Sequence, residues 1–376
     1  MIKVSCVCGA RPNFVKIAPL MEAFAASGRV AARLVHTGQH YDARMSHLFF
    51  EQLGIPRPDV NLEVGSGSHA VQTAEIMRRY EPVVIDEQPD WVVVVGDVNS
   101  TIACALVAVK LGVRVAHVEA GLRSFDRAMP EEINRLLTDS ISDLLLVSEP
   151  SGVENLKREG IEDGKVRLVG NVMIDTLLKH RGRADALPIV RDLGLSPRRF
   201  AVVTLHRPSN VDDSEGLRAV LAAFEAIARD IPIVFPMHPR TRKNLATFGL
   251  EARAAAVAGL KIIEPLGYLD YLKLMADASI VLTDSGGVQE ETTILGVPCL
   301  TLRANTERPV TVTHGTNRLV PFGSDGRLST TEIVRAYEAA PIRPFGAATP
   351  PPLTRRPPLW DGSAAGRIAS ALIEAT

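Results

Sequence analysis

Short runs rich in Val, Ile and Leu alternate with helix-compatible segments along almost the whole chain, an order that points to parallel sheets buried between layers of helices. In the first half KVSCVC, AARLVHT, WVVVVGD, VRVAHVE, DLLLVS and KVRLVG read as strands, with helical patterning over 13–26, 100–111 and 130–142. A second set, FAVVTLH, IPIVFPMH, LKIIEP, SIVLTDS and VPCLTL, alternates with helices expected at 215–229, 268–276 and 287–295. This doubling, in 376 residues against roughly 150 per domain, predicts two Rossmann-like α/β domains. The join is expected where a helical stretch, 173–180, runs into a polar, Pro-containing segment. The domains are then residues 1–172 and 173–358, with a last helix at 359–376 crossing back onto the first.

Charge narrows the classes of partner. With 42 Lys and Arg against 43 Asp and Glu, the net charge of −1 provides no basic footprint for nucleic acid and no polybasic patch for a membrane surface. Cys6, Cys8, Cys104 and Cys299 lie in apolar runs without redox or zinc spacing, and read as buried reduced thiols. The chain reaches a Gly-Ala-Arg-Pro turn by residue 9, and no apolar run approaches the ~18 residues of a membrane span. The expected setting is the cytoplasm. The histidines are scattered, so no metal site is expected.

Several residues fall where a parallel sheet places its ligands, at the carboxyl ends of strands. The first strand ends in GARPNFVK. Pro12 suits a first helical turn, and Arg11 and Lys16 add positive charge near a helix N-terminus, which suits an anion; the bland alternative is a solvated surface. A second anion candidate is SIVLTDSGGVQEE, where the N–H groups of Ser285, Gly286 and Gly287 can meet phosphate oxygens and Glu291 can accept from ribose hydroxyls. Its alternative is a tight turn whose Glu290 and Glu291 favour the helix dipole. Asp97 closes WVVVVGD and either meets ligand or caps the next helix. Glu119 closes VRVAHVE and either meets ligand or pairs with Arg123. In PEEINR, Glu131 and Arg135 have the spacing of an ordinary surface ion pair. His206 in TLHRPSN and His238 in MHPRT close two strands of the second half, where each can serve a ligand or a core hydrogen bond.

Taken in order, GARPNFVKIAPL, TGQH, VVGDVNST, HVEAGLRS, PEEINR, HRPSN and LTDSGGVQEE closely resemble the non-hydrolysing UDP-N-acetylglucosamine 2-epimerases, from residue 1 to about Val320. The family is similar in fold to B-type glycosyltransferases, with two Rossmann-like domains facing a cleft. By resemblance, Arg11, Ser285, Gly286 and Gly287 bind the diphosphate of a UDP-sugar and Glu291 holds its ribose. Lys16, Asp97, Glu119, Glu131, Arg135 and His206 match positions assigned to the sugar and to catalysis. The implied reaction expels UDP from C1 while the C2 proton is lost, then re-adds UDP with protonation of the opposite face. At least two of Asp97, Glu119 and Glu131 then act as acid or base, with neither nicotinamide nor metal. The family also suggests a homodimer.

Two departures stand out. Pro208 follows His206-Arg207 where many members carry an arginine, which in some bacterial members helps hold a second, regulatory UDP-N-acetylglucosamine. Another arginine of that site, expected near 66–71, is absent from the sequence. Gln39 and His40 match its Gln-His pair, so activation by substrate is expected to be weak or differently built. Rival readings are a B-type glycosyltransferase, a hydrolysing epimerase, a sugar-nucleotide sensor, and an epimerase of a diacetamido uronate.

Overall fold

The structure, a computed structural model, describes residues 1–39, 50–323, 326–342 and 356–376. His40 lies outside these. The chain forms two compact units, residues 1–180 with 358–376, and residues 181–357.

The first unit holds a seven-stranded parallel sheet: β1 (Ile2–Cys8), β2 (Val30–His36), β3 (Val60–Asn61), β4 (Trp91–Val95), β5 (Arg114–Ala120), β6 (Leu144–Val147) and β7 (Val166–Leu168), in the order β3-β2-β1-β4-β5-β6-β7. Every residue of β4 is buried, as a central strand covered on both faces requires. The helix Arg11–Ser27 starts with Pro12 in its first turn and stops at Gly28, whose φ of 61° is left-handed. The helix Ala364–Glu374 belongs to this unit. Asp175 accepts from the backbone N–H groups of Ala364 and Ala365 at 3.1 and 2.7 Å, closing its N-terminus. Trp360 is fully buried and donates to the Ser148 carbonyl at 2.9 Å.

The second unit repeats the plan with six parallel strands: β8 (Ala201–Thr204), β9 (Ile233–Pro236), β10 (Leu260–Ile263), β11 (Ile280–Thr283), β12 (Cys299–Thr301) and β13 (Asn317–Leu319), in the order β10-β9-β8-β11-β12-β13. Its core joins the strand residues Val203, Phe235 and Leu282 to Leu221 and Phe224 of the helix Ser214–Ile227. Both sheets are therefore doubly wound in the same order. Each reverses direction once, between β1 and β4 and between β8 and β11, and it is outside such switch points that open α/β sheets hold ligands.

Candidate functional site

At the switch point of the first sheet, strand ends and two helices bring four charged side chains into two pairs. β5 carries an extra residue relative to β6 between Val118 and Ala120, and that residue is Glu119. Its φ of 76° is left-handed, a conformation that costs a non-glycine residue about 1–2 kcal/mol and turns the side chain out of the strand's alternation. The carboxylate meets Lys16 of the helix Arg11–Ser27, and both groups are buried. Beneath them lies Gly96, φ 69°. A Cβ there would stand 3.2 Å from Lys16 Nζ and 3.3 Å from Glu119 Oε2. Asn13 steadies the same corner: its Oδ1 accepts from the N–H groups of Gly9 and Ala10, and its Nδ2 donates to the Val95 carbonyl.

The second pair joins Asp97, after β4, to Arg135 of the helix Pro130–Ile141. Arg135 is only 2% exposed, and its Nε and Nη2 also donate to Glu132 Oε2 at 3.1 and 2.6 Å. Glu132 in turn accepts from the N–H of Ser124 at 3.0 Å and from that of Phe125 at 2.9 Å, holding Phe125 at a φ of 60°. Burial would raise the Glu132 carboxyl, but the Ser124 N–H and the Arg135 guanidinium hold it below the usual carboxylate range. Glu131, half-buried in the first turn of the helix, forms no ion pair with Arg135 or with any other of the described residues.

At the switch point of the second sheet the fully buried Asp284 follows β11. It accepts from the N–H of His206 at 3.0 Å, the N–H of Arg207 at 2.9 Å and Asn210 Nδ2 at 3.0 Å, and lies 2.9 Å from His206 Nδ1. Burial alone would raise this carboxyl; the His206 contact and the donated hydrogen bonds hold it low. The loop after β8 is thus pinned to the loop after β11, leaving the His206 side chain 42% exposed. The helix Gly286–Leu295 begins at once, with Ser285 as its N-cap. Behind Gly286 stands Arg308, which donates to Glu290 at 2.6 Å; a Cβ on Gly286 would be 2.5 Å from Arg308 Nη1. Arg308 and Arg303 share Glu307, so a buried ionic cluster supports the turn. Glu291 accepts from the Tyr268 hydroxyl at 2.8 Å, and burial lifts its pKa to about 7.

Several local alternatives raised by the sequence are corrected by these contacts. Asp97 does not cap the helix Asn99–Lys110, whose N-cap is Val98 without a side-chain bond. Glu119 pairs with Lys16 rather than Arg123, which binds Asp139 and Glu159 instead. Arg135 pairs with Asp97 and Glu132, not with Glu131, and is not at the surface. Glu290 and Glu291 lie beyond the first helical turn and are buried, so they do not serve the dipole at the helix start. The Ser285 N–H donates to Thr283 Oγ1 at 3.0 Å, so among the three expected donors the amides of Gly286 and Gly287 are those offered by the open first turn.

The remaining expected residues are placed as follows. His238 caps the helix Pro239–Thr247, accepting from the Arg240 N–H at 3.2 Å, with its ring centroid 5.7 Å from that of His206. Gln39 is buried, its Oε1 accepting from the N–H and hydroxyl of Ser100. Arg11 opens its helix, and its side chain lies outside the described part of the structure. The sequence reading missed Glu132, Asp284, Tyr268 and Arg308. Glu132 and Asp284 lie inside the segments PEEINR and LTDSGG that the sequence marks out, whereas no local signal marks Tyr268 or Arg308.

Two doubly wound parallel sheets with charged groups gathered at both switch points define a tandem Rossmann-like α/β protein. Residues 22–373 match the protein-family model described as UDP-N-acetylglucosamine 2-epimerase. A Methanocaldococcus jannaschii protein of that name is 45% identical over 350 residues, 92% of this chain and 95% of that protein. The crystal structure of a UDP-GlcNAc 2-epimerase from the same organism, in complex with UDP-GlcNAc and UDP, superposes with a TM-score of 0.89 at 42% identity, over 99% of this chain and 100% of that one. A Pseudomonas aeruginosa UDP-2,3-diacetamido-2,3-dideoxy-D-glucuronate 2-epimerase is 43% identical, over 86% of this chain and 90% of that protein. The chain belongs to the UDP-N-acetylglucosamine 2-epimerase family.

Proposed function

We propose that the protein interconverts UDP-N-acetylglucosamine and UDP-N-acetylmannosamine without hydrolysis, by eliminating UDP to leave 2-acetamidoglucal and then adding it back. The observation that carries this reading is the buried contact Lys16–Glu119 beside the half-buried contact Asp97–Arg135, at the ends of adjacent strands β5 and β4, in a chain of this family. The C2 proton has no neighbouring carbonyl to acidify it. Loss of UDP from C1 as that proton leaves avoids a free carbanion. One group must take the proton and another return it to the opposite face, and Asp97, Glu119 and Glu131 are the candidates. Lys16 and Arg135 pair with two of these carboxylates and orient them. By resemblance, the charge that builds on the departing diphosphate falls to Arg11 in the first unit and, in the second, to the helix start after Ser285, where the Gly286 and Gly287 amides are open and His206 and His238 belong to the same sheet end. Glu291 accepts from the ribose. Gln39 and His40 remain the proposed remnant of a regulatory ligand site.

Incubation with UDP-N-acetylglucosamine in heavy water is expected to place deuterium at C2 and yield UDP-N-acetylmannosamine with no accumulation of free sugar, read by proton NMR. Free N-acetylmannosamine, or transfer of the sugar without C2 exchange, would overturn the proposal. The identity shared with the Pseudomonas relative supports a second reading, action on a diacetamido uronate. Faster exchange with that UDP-sugar than with UDP-N-acetylglucosamine would establish it.

Among the described residues no helix is long and apolar enough to cross a membrane, and all four cysteines are free and buried, which supports a cytoplasmic setting. A homodimer is part of the same reading. Val71 and Ile85, Val109, and Leu137 are exposed on the helices His69–Glu87, Asn99–Lys110 and Pro130–Ile141, which lie side by side. Light scattering is expected to give twice the chain mass of 40.6 kDa; the single mass at working concentration would refute it.

A further inference from the structure

Behind the two carboxylates of the first switch point lies a fully buried histidine that the proposed reaction does not use. His117, on β5, has one ring nitrogen on each side of a junction. Nε2 is 2.8 Å from the Gly96 carbonyl oxygen, and Nδ1 is 2.6 Å from Asp139 Oδ1. A carbonyl can only accept, so Nε2 must donate. A proton must also lie between Nδ1 and the carboxylate, because two lone pairs cannot face each other at that distance. Asp139 is itself fixed: its Oδ2 accepts from the Gly121 N–H at 3.0 Å and from Arg123 at 2.7 Å.

We infer that His117 is a positioning residue: by donating from Nε2 to the Gly96 carbonyl, out of a ring seated on Asp139, it fixes the end of β4 and with it Asp97 and the floor under Glu119. Gly96 and Gly121, at φ 69° and 79°, turn freely as glycines do, so their conformations are fixed only by their partners, whereas Glu119 at φ 76° is strained and persists only where its surroundings hold it. Gly96 precedes Asp97 directly, so the orientation of its carbonyl sets where the Asp97 side chain departs. The same glycine forms the floor under the Lys16–Glu119 pair. One ring therefore sets the spacing of the two candidate proton carriers. Displacement of such groups by about 1 Å costs on the order of a hundred-fold in rate.

The inference rests on the epimerase reading, and the test separates the two. In His117→Gln the amide nitrogen stands where Nε2 was and can still donate to Gly96. In His117→Asn it stands where Nδ1 was and reaches only Asp139. His117→Asn is expected to lower kcat for C2 exchange on the order of thirty-fold or more while KM and inhibition by UDP stay within about two-fold. His117→Gln is expected to recover most of that loss, even if both variants melt below the wild type. A structural role alone would not order the variants in this way. Wild-type kcat in His117→Asn, or parallel loss of kcat and UDP affinity in both variants, would overturn the inference. Absence of exchange in the wild type would instead sink the epimerase reading. Should neither variant fold, nitrogen NMR of the wild-type protein decides: a proton on His117 Nε2 is required, and a bare Nε2 refutes the clamp.

Discussion

Glu119→Gln is expected to slow C2 proton exchange by a factor on the order of a hundred or more, the usual scale for lost acid–base help, and Asp97→Asn and Glu131→Gln are expected to do likewise. The case is strongest for Glu119. A bulge residue at φ 76°, buried to 5% exposure and facing a buried ammonium, is an expensive way to build a strand end. Its substitution has two consequences that must be kept apart. The amide cannot carry a proton to or from C2, and it also leaves Lys16 as a buried, uncompensated cation, which costs about 3–5 kcal/mol. The double variant Lys16→Met, Glu119→Gln removes both charges. It should regain much of the stability seen in chemical denaturation, yet show no more exchange than the single variant. Wild-type exchange in Glu119→Gln would remove Glu119 from the reaction. Recovery of exchange in the double variant would make its role one of stability.

The fold was legible because each central strand is buried on both faces and must be written as an unbroken apolar run; WVVVV and LLLV announce themselves. The edge strands Val60–Asn61 and Asn317–Leu319 were not, being two and three residues long. The helix His69–Glu87 hides behind a narrow buried stripe, Gln72, Ile76, Tyr80 and Val84, diluted by exposed Val71 and Ile85. The helix Val172–Asp185 runs across the boundary between the two units. Its first turns bond to the first unit, Thr176 to the Val15 carbonyl, but one continuous helical pattern carries no mark of where its packing changes.

The gathering of charged residues at the ends of apolar strands was also legible, since such residues have few structural reasons to be there. Pairing was not. In PEEINR both the three- and four-residue spacings place side chains on one helix face, and only burial of Arg135 selects Glu132 over Glu131. Arg303, Glu307 and Arg308 gave no local signal, because their meaning lies in Gly286 and Glu290, some twenty residues away in sequence and adjacent only in space.

UDP binding is expected to strengthen as pH rises from about 5 to 7, through Glu291. Burial raises this carboxyl from 4.5 to about 7, opposed by the Tyr268 hydrogen bond and assisted by neighbouring Glu290. In the free protein it therefore holds a proton across a range where the unfolded chain does not. Its raised value adds stability fully present below 4.5 and lost as pH climbs through about 7, a change of roughly 3 kcal/mol at 1.36 kcal/mol per unit. Ribose hydroxyls donate best to the ionised form, so a ligand held there must displace the proton, and affinity gains up to about ten-fold per pH unit below 7. The terminal phosphate of UDP titrates nearby, and Glu291→Gln isolates that contribution because it keeps the ligand and removes the carboxyl. Calorimetry in buffers of different ionisation enthalpy should show wild-type protein releasing more protons on binding UDP at pH 6 than Glu291→Gln, and the two converging at pH 8.5. Denaturation of the free protein should show the opposite slope, the wild type losing stability relative to the variant between pH 5 and 8. Asp284, held low, acts in the other direction: its contribution is present above the usual carboxylate range and fades as pH falls. The window for Glu291 thus lies above the acid loss of Asp284. Equal proton release by wild type and variant at pH 6 would mean that the ribose does not meet Glu291.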